Sequence, residues 1–284
     1  MTDKTSAPLT GAEPPLIAAG EARTWVLFED ERLLVLNKPG WVVCHPSKNG
    51  PWSSLAGAAR LEFQLDAVRL VYRLDRETSG VILLAKTQAM GGRLQKAMGR
   101  RAVGKLYVAV LEGEMRGPRF VEEPLGPDPS ANVTVKQCVT TVNAQEAVTR
   151  FTPLAARGGY TLAAVEPLTG RKHQIRAHAE WSGHRVVGDK LYGPDPGLYL
   201  EYAEQGWTAR HAALLPLPRQ ALHCAQIDLR PAGMEQVFRA PWPADLAKFC
   251  TEHMQLDTFA VERLITAAIA EMSPVPSAPA GPGR

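Results

Sequence analysis

The chain has 284 residues with 45% hydrophobic side chains, which is enough for one sizeable core and too short for three average domains. Its 32 Lys and Arg residues exceed its 29 Asp and Glu residues by three, and this mild positive charge permits an RNA partner without requiring one. No apolar run approaches the ~18 residues of a membrane span and no signal peptide is recognisable, so we expect a cytoplasmic protein without membrane contact.

The two ends of the sequence differ in composition from its middle. Residues 1–22 are polar and contain prolines, which predicts a flexible leader. A Pro-, Gly- and Ala-rich tail from Ser273 onward predicts disorder. We therefore expect a single domain over residues 23–252, followed by a C-terminal helix and the tail over residues 253–284. The 4 cysteines lie far apart, as expected for reduced, buried residues of an intracellular protein.

The middle of the chain alternates short apolar runs with turns. Strands are predicted over residues 33–40, 68–72, 81–86, 105–113, 149–156, 160–167 and 221–230. Helices are predicted over residues 54–65, 88–98, 169–182 and 257–272, with Thr87 and Thr169 as N-caps of the second and third. Many strands with a few interspersed helices predict an α+β fold around a large mixed, mainly antiparallel sheet.

The segment VYRLDRETSG, residues 71–80, places a carboxylate between two cations in a loop that joins two predicted strands. Arg73 and Arg76 flank Asp75, and nearby positive charge lowers the pKa of a carboxyl group and keeps it ionised. An ionised and well-positioned Asp can act as a nucleophile. Taken alone, the same residues also fit a salt-bridged turn.

The segment EPLTGRKHQIRAH, residues 166–178, leads from a predicted strand into a basic helix start. Arg171 and Lys172 at this start suit a phosphate, because a helix N-terminus offers free N–H groups and a positive dipole end. Ile175 and Ala179 are four residues apart and should face the core, while Arg176 lies on the flank of that face and can point into a cleft. A solvated basic helix start is the plainer interpretation.

A third segment, residues 93–110, carries five basic residues from Arg93 to Lys105 and no acid. Such a row suits contacts to RNA phosphates, although charge runs are usually solvated faces. Tyr107 follows inside a predicted strand, where aromatic residues usually belong to the core.

In this order, the segments closely resemble those of the RluA-type pseudouridine synthases. EDERLLVLNKPGWVVCHP (29–46) resembles the opening motif, and YRLDRETSG resembles the segment H-R-L-D-x-x-T-S-G. KLYVAVLEG (105–113) and TGRKHQIRAH resemble the K-x-Y segment and the T-G-R-x-H-Q segment. GHRVVGDKLYG (183–193) and RQALHCAQIDL (219–229) match the two segments that follow, so the resemblance covers roughly residues 25–245.

Three features depart from the family pattern. Tyr72 stands where the family usually has His before R-L-D. The predicted leader is too short for the separate N-terminal RNA-binding domain that some members carry. The segment YLEYAEQGWTARHAA, residues 199–213, lengthens the loop after Gly193.

The resemblance implies a pseudouridine-synthase-like fold with a central active-site cleft, and residues 23–252 would be the catalytic domain. The implied reaction isomerises specific uridines of structured ribosomal or transfer RNA. Asp75 would be the nucleophile, at either the ribose C1′ or the base C6. Arg176 would pair with Asp75 and keep it ionised, and Tyr107 would pack on the uracil and serve in proton transfer.

A uridine inside a stack is out of reach, so the target must flip out. Arg73 would fill the vacated space, Lys105, Arg171 and Lys172 would hold phosphates, and Ile175 would line the base pocket. The substrate-binding residues implied by the resemblance are therefore Arg73, Arg76, Lys105, Arg171, Lys172 and Ile175.

The implied reaction changes no oxidation state and uses no group donor, so we expect no cofactor and no metal. His173 and His178 are five residues apart, which is not the spacing of a helical zinc pair, and His178 reads as a core histidine. We expect an RNA stem-loop as partner and a monomer. Two alternatives stay open: an RNA-binding protein of this fold that has lost catalysis, and a glycoside or nucleoside hydrolase, which would want a second carboxylate.

Overall fold

A ten-stranded sheet and a separate two-stranded sheet form the strand framework of the molecule. The structure is a computed structural model and describes residues 15–45 and 49–271. The strands are β1 Val26–Glu29, β2 Leu33–Lys38, β3 Arg69–Leu70, β4 Ser79–Ala85, β5 Gly104–Glu112, β6 Arg119–Val121, β7 Leu125–Pro127, β8 Gln137–Val139, β9 Thr149–Arg157, β10 Tyr160–Pro167, β11 Leu222–Asp228 and β12 Val237–Arg239.

The helices lie mostly in the second half of the chain. They are α1 Leu55–Glu62, α2 Gln88–Gly99, α3 Gln174–Trp181, α4 Gly197–Gln205, α5 Ala209–Leu214, α6 Ala244–Met254 and α7 Thr258–Glu271. Short 3-10 turns cover Ala22–Trp25, Pro51–Ser53 and Arg230–Ala232. No helix in the described ranges is both long and apolar enough to cross a membrane.

The large sheet has the strand order β1-β2-β4-β11-β5-β10-β9-β6, with β3 beside β4 and β12 beside β11. Strands β4 and β11 pair in parallel, and the other pairings described in this sheet are antiparallel. The prediction of an α+β fold around a mixed, mainly antiparallel sheet is confirmed.

The strand register brings distant parts of the sequence to one place. Gly80 of β4 pairs with Cys224 of β11, Cys224 pairs with Tyr107 of β5, and Tyr107 pairs with Val165 of β10. Gly80 has φ +111°, and a Cβ there would meet the carbonyl oxygen of Cys224 at 2.2 Å, so only glycine permits this pairing. The loop before β4, the start of β5 and the loop after β10 therefore meet at the same end of the sheet.

The predicted elements are mostly found, with shifted ends. Strand 68–72 shrinks to the two residues of β3, and helices α4, α5 and α6 were not predicted. Thr87 caps α2 as predicted, since its hydroxyl accepts a hydrogen bond from the Met90 N–H. The prediction that Thr169 is the N-cap of α3 is wrong. The helix begins at Gln174, and the Thr169 hydroxyl instead forms a hydrogen bond with the Gln174 side chain.

The ends of the folded part can be compared with the predicted boundaries. Ile17 and Ala22, inside the segment predicted as a leader, are buried against the core. Helix α7 ends at Glu271, close to the predicted end of the last helix. Residues 1–14 of the predicted leader and the predicted tail from Ser273 lie outside the described residues. The single domain over residues 23–252 stays a prediction.

Candidate active site

Asp75 lies on the loop between β3 and β4, at the edge of a cleft of about 700 Å³. Every residue of β4 is buried, so the loop ends on a rigid part of the sheet. The Asp75 side chain is 32% exposed, so it is accessible from the cleft.

Arg176 joins Asp75 to a second carboxylate, which the sequence analysis had not placed in the site. Its Nη1 donates to Asp75 Oδ2 at 2.8 Å. Its Nε and Nη2 donate to Asp189 Oδ2 and Oδ1 at 2.6 and 2.8 Å, a planar two-bond pairing that only a guanidinium can make. Asp189 is fully buried and also accepts the N–H groups of Leu191 and Tyr192. Asp189 therefore fixes the plane of Arg176, and Arg176 fixes Asp75.

The charges of this trio are mutually supporting. Burial acts to raise the pKa of Asp75, but Arg176 above all outweighs it, so the pKa lies below its usual value. Burial likewise opposes the charge of Arg176, yet Asp189 and Asp75 hold the pKa of Arg176 well above its usual range. Asp75 is consequently an ionised carboxylate with one oxygen held by Arg176.

Two tyrosines stand beside the Asp75 loop. Tyr107 is 8% exposed, lines the cleft, and has a pKa well above its usual value because of burial and the neighbouring Cys224. Tyr72, which replaces the expected His, donates from its hydroxyl to the Val81 carbonyl of β4 at 2.5 Å. Tyr72 thus ties the loop to the sheet.

His173 is a further residue of the cleft, although the sequence pattern had suggested only that it is not a zinc ligand. It lines the cleft, and its Nε2 lies 4.0 Å from Asp75 Oδ1. Its Nδ1 lies 3.0 Å from the Tyr192 hydroxyl. His178, by contrast, is fully buried and bonded to Thr149 and the Glu123 carbonyl, as expected of a core histidine.

A group of buried and half-buried side chains holds the Asp75 loop without lining the cleft, and we call it the rear network. Its members are Lys38, Glu77, Lys190, Arg219, Gln220 and Asp245. Lys38 Nζ donates to the Arg76 carbonyl at 3.0 Å and to the Val42 carbonyl at 2.8 Å. Arg219 donates from Nη1 to the Glu77 carbonyl at 3.1 Å and is itself held by Asp245 through two bonds.

The carboxylate of Glu77 completes the rear network. Its Oε1 accepts from Lys190 Nζ at 2.8 Å, and its Oε2 accepts from the Gln220 N–H at 3.1 Å. Lys190 is 2% exposed, and its Nζ lies 4.7, 4.8 and 5.6 Å from the ring centroids of Tyr202, Trp41 and Trp207. Aromatic faces stabilise a desolvated cation. Tyr202 of α4 and Trp207 just after it belong to the segment that extends the loop after Gly193, so this segment supports the Asp75 loop through Lys190.

Five cations line the cleft, and we call them the basic rim: Arg73, Arg101 and Lys172, which are exposed, and Lys105 and Arg171, which are half-buried. Ile175 is buried and lines the same cleft; its predicted contact with the base stays a prediction. Arg76 is not among the lining residues, and its guanidinium instead lies 5.9 Å from the Tyr202 ring.

The basic rim is only partly engaged within the protein. Arg101 pairs with Glu146 at 2.8 Å, and Arg171 donates from Nε to the Glu146 carbonyl. Burial lowers the pKa of Lys105, whose Nζ lies 3.5 Å from the Thr169 carbonyl. Lys172 is exposed. The described ranges contain no group of three or more His, Cys, Asp or Glu side chains suited to a metal ion.

Comparison with known proteins agrees with this geometry. The sequence profile of a family described as RNA pseudouridylate synthase matches residues 32–181. The uncharacterized RNA pseudouridine synthase YjbO of Bacillus subtilis is 35% identical over 229 residues, covering 78% of this chain and 74% of that protein. Ribosomal large subunit pseudouridine synthase D of Nitrosomonas europaea is 32% identical over 232 residues, covering 78% of this chain and 63% of that protein.

A solved structure shares the architecture. Human RNA pseudouridylate synthase domain containing 4 superimposes with a TM-score of 0.63 at 26% identity, covering 82% of this chain and 94% of that one.

Proposed function

Because the chain belongs to the RNA pseudouridylate synthase family and isomerises uridine in RNA, we propose that Asp75 is its nucleophile and that Arg176 and Tyr107 complete the catalytic set. The observation that carries this proposal is the chain of contacts from Asp189 through Arg176 to Asp75 at the edge of the cleft. These contacts keep the Asp75 carboxylate ionised and oriented, and it remains accessible to a substrate in the cleft.

The reaction breaks the bond between uracil N1 and ribose C1′ and forms a bond between C5 and C1′. The proton at C5 is lost and N1 gains one, so nothing is oxidised or reduced. Asp75 can bond transiently to C1′ as the base leaves, or to C6 of the base, and its ionised state serves both routes. Arg176 prevents the carboxylate from rotating away and from taking up a proton.

Tyr107 forms the wall of the cleft next to Asp75. A tyrosine hydroxyl is protonated at neutral pH, and the raised pKa of Tyr107 disfavours its ionisation further, so the hydroxyl can donate a hydrogen bond while the ring offers a flat surface to the uracil. Ile175 supplies an apolar contact from the helix that carries Arg176. The detached uracil would be held between them while it turns from N1 to C5.

The RNA would approach over the basic rim. A flipped-out uridine enters the cleft, Arg73 fills the space that it leaves, and Lys105, Arg171 and Lys172 meet the neighbouring phosphates. A relative is named for the large ribosomal subunit, and we propose a stem-loop of ribosomal or transfer RNA as the substrate. Arg76 lies outside the cleft lining, so any contact of Arg76 with RNA would occur away from the target uridine. Action as a monomer and a cytoplasmic location stay predictions.

The test is Asp75→Asn combined with mapping of pseudouridines in total RNA from cells with the wild-type gene, the variant gene and no gene. The amide keeps the size of the side chain and loses the nucleophilic charge, so we expect no more than trace activity with folding and RNA binding nearly intact. Sites absent in both the variant and the deletion identify the substrate. Substantial activity of Asp75→Asn would overturn the assignment, and release of free uracil would indicate hydrolysis instead.

A further inference from the structure

We propose that His173 and Asp75 together bind the ribose 2′-hydroxyl of the target uridine, and that this contact makes the enzyme prefer a ribonucleotide at the modified position. The inference rests on the proposed role of Asp75 and extends it to a residue that the resemblance did not place in the site.

The backbone at His173 is the first observation. His173 has φ +55°, in the left-handed region that a non-glycine residue seldom adopts. The turn before it is fixed by Gln174, whose Oε1 accepts from the Arg171 N–H at 2.9 Å and whose Nε2 donates to the Val148 carbonyl at 2.9 Å. This conformation directs the imidazole into the cleft instead of along the helix.

The hydrogen bonds of Tyr192 assign the tautomer of His173. The Tyr192 oxygen accepts the Gln137 N–H at 2.9 Å and lies 3.0 Å from His173 Nδ1. Within the described chain, His173 Nδ1 is the one acceptor recorded for the Tyr192 hydroxyl proton. With the histidine proton on Nε2, the Tyr192 hydroxyl donates to Nδ1 and the N–H at Nε2 faces the Asp75 carboxylate, so this tautomer is the one that gives both groups a partner.

The His173 imidazole is a neutral donor at physiological pH. Burial first, and Arg176 second, lower its pKa to about 4. The charged groups acting on it are Asp75 and Asp189, which favour the cation, and Arg176 and Lys172, which oppose it. The site thus presents an N–H donor and an ionised carboxylate side by side without neutralising the carboxylate.

The gap between these two groups is the central observation. Nε2 and Asp75 Oδ1 are 4.0 Å apart, too far for a direct hydrogen bond. One oxygen placed about 2.8 Å from both atoms would subtend an angle of about 90°, close to that of a hydroxyl. The pair is therefore spaced to hold one group that accepts from His173 and donates to Asp75.

Only one functional group of a uridine in an RNA chain can both accept from His173 and donate to Asp75. The uracil carbonyls and the ribose ring oxygen accept only, the N3–H donates only, and the 3′ and 5′ oxygens are esterified. The 2′-hydroxyl both donates and accepts, and it is what distinguishes RNA from DNA. It is also attached to the carbon next to C1′, so it lies beside Asp75 if Asp75 acts at C1′.

The experiment compares two variants on two substrates. One RNA hairpin from a mapped site carries uridine at the target, and a second carries 2′-deoxyuridine there. His173→Asn removes the donor at the Nε2 position, and His173→Gln restores an N–H at about that reach. Both residues tolerate this backbone, since Asn143, Gln64 and Gln255 adopt φ of 50°, 52° and 54° in the same chain.

Single-turnover rates and hairpin affinities are measured for each protein on each hairpin, with thermal unfolding as the check on folding. We expect the wild type to prefer uridine over 2′-deoxyuridine on the order of tenfold or more, as loss of a hydrogen bond to a charged group implies. His173→Asn should lose activity on uridine and little on 2′-deoxyuridine, so that the preference falls to a few-fold. His173→Gln should recover part of it.

Equal losses of His173→Asn on both hairpins would overturn the inference and leave a structural role for His173. A wild type indifferent to the 2′-hydroxyl would overturn it as well. Neither result touches the proposed function, which fails only if Asp75→Asn keeps substantial activity on the uridine hairpin.

Discussion

Positive charge lies in two regions near the Asp75 loop, the rear network and the basic rim, and its role differs between them. Lys38, Lys190 and Arg219 of the rear network are at most 2% exposed, and each donates to atoms of this protein. Lys172 of the basic rim is exposed, and Arg171 is only partly buried. Buried cations with full sets of partners define one backbone shape, whereas exposed cations remain available for another molecule. Charge near an active site is therefore informative only together with its burial and its partners.

The largest expected effect comes from breaking the rear network at Lys190. Lys190→Met leaves the Glu77 carboxylate, 15% exposed, without its cation. Removing one partner of a buried pair typically costs about 3–5 kcal/mol, and we expect a loss of this order in the free energy of unfolding. Urea unfolding measures it. Lys172→Met in the basic rim is the matched control and should change stability by less than about 0.5 kcal/mol.

A second variant separates charge from packing at this position. Lys190→Met combined with Glu77→Gln removes the unpaired charge and should recover much of the lost stability, since a neutral pair in place of a buried ion pair is often tolerated. If the double variant were no more stable than Lys190→Met, the damage would lie in the aromatic contacts of Lys190, and the contrast between the two regions would lose its electrostatic basis.

Arg176 lies between the two regions and tests whether geometry or charge matters in the site. Arg176→Lys keeps a cation and loses the planar two-bond pairing with Asp189. We expect the single-turnover rate to fall on the order of tenfold or more, which corresponds to ~1.4 kcal/mol or more, with RNA affinity little changed. A rate within twofold of the wild type would show that Asp75 needs a nearby charge and not a fixed partner.

The smallest effect is expected in the basic rim, and it is best seen as a change in salt dependence. Lys172→Gln should lower the slope of log affinity against log salt by about one, because one phosphate contact fewer releases one counterion fewer. Lys248→Gln is the matched control: Lys248 is also an exposed lysine, but it lies on α6 and does not line the cleft. Equal slopes for all three proteins would show that Lys172 is an ordinary solvated side chain.

Much of the large sheet could be predicted from the sequence, because strands such as β4 and β10 are continuous apolar runs bounded by turns. Helix α4 was missed because its amphipathic pattern is weak: its buried residues are Leu198 and Tyr202, of which Tyr202 contacts Lys190. Helix α5 has only 6 residues, too few for a clear period, whereas α6 is clearly amphipathic and its spacing could have predicted a helix. The late start of α3 was missed because Thr169 has the chemistry of an N-cap, and only the contacts of Gln174 show that it serves the turn instead.

The contact between Asp75 and Arg176 could be predicted because each residue lies in a recognisable motif and the resemblance implied that the two residues pair. The rear network could not be predicted, because the bonds that hold Glu77 join residues more than 100 positions apart: Lys190 to Glu77 spans 113 and Gln220 to Glu77 spans 143. His173 was overlooked for another reason. The residue type alone does not reveal the left-handed backbone conformation that turns the ring toward Asp75.

The long span of the rear network has a consequence for the order of assembly during translation. Asp75 is synthesised well before the residues that shape its loop, since Arg219 lies 142 residues after Glu77 and its partner Asp245 later still. At about 5–20 residues per second, roughly 7–30 s separate these events on the ribosome. A nascent chain therefore carries its nucleophile on an unsupported loop, and the site becomes competent only when the distal strand β11 and helix α6 have joined the sheet.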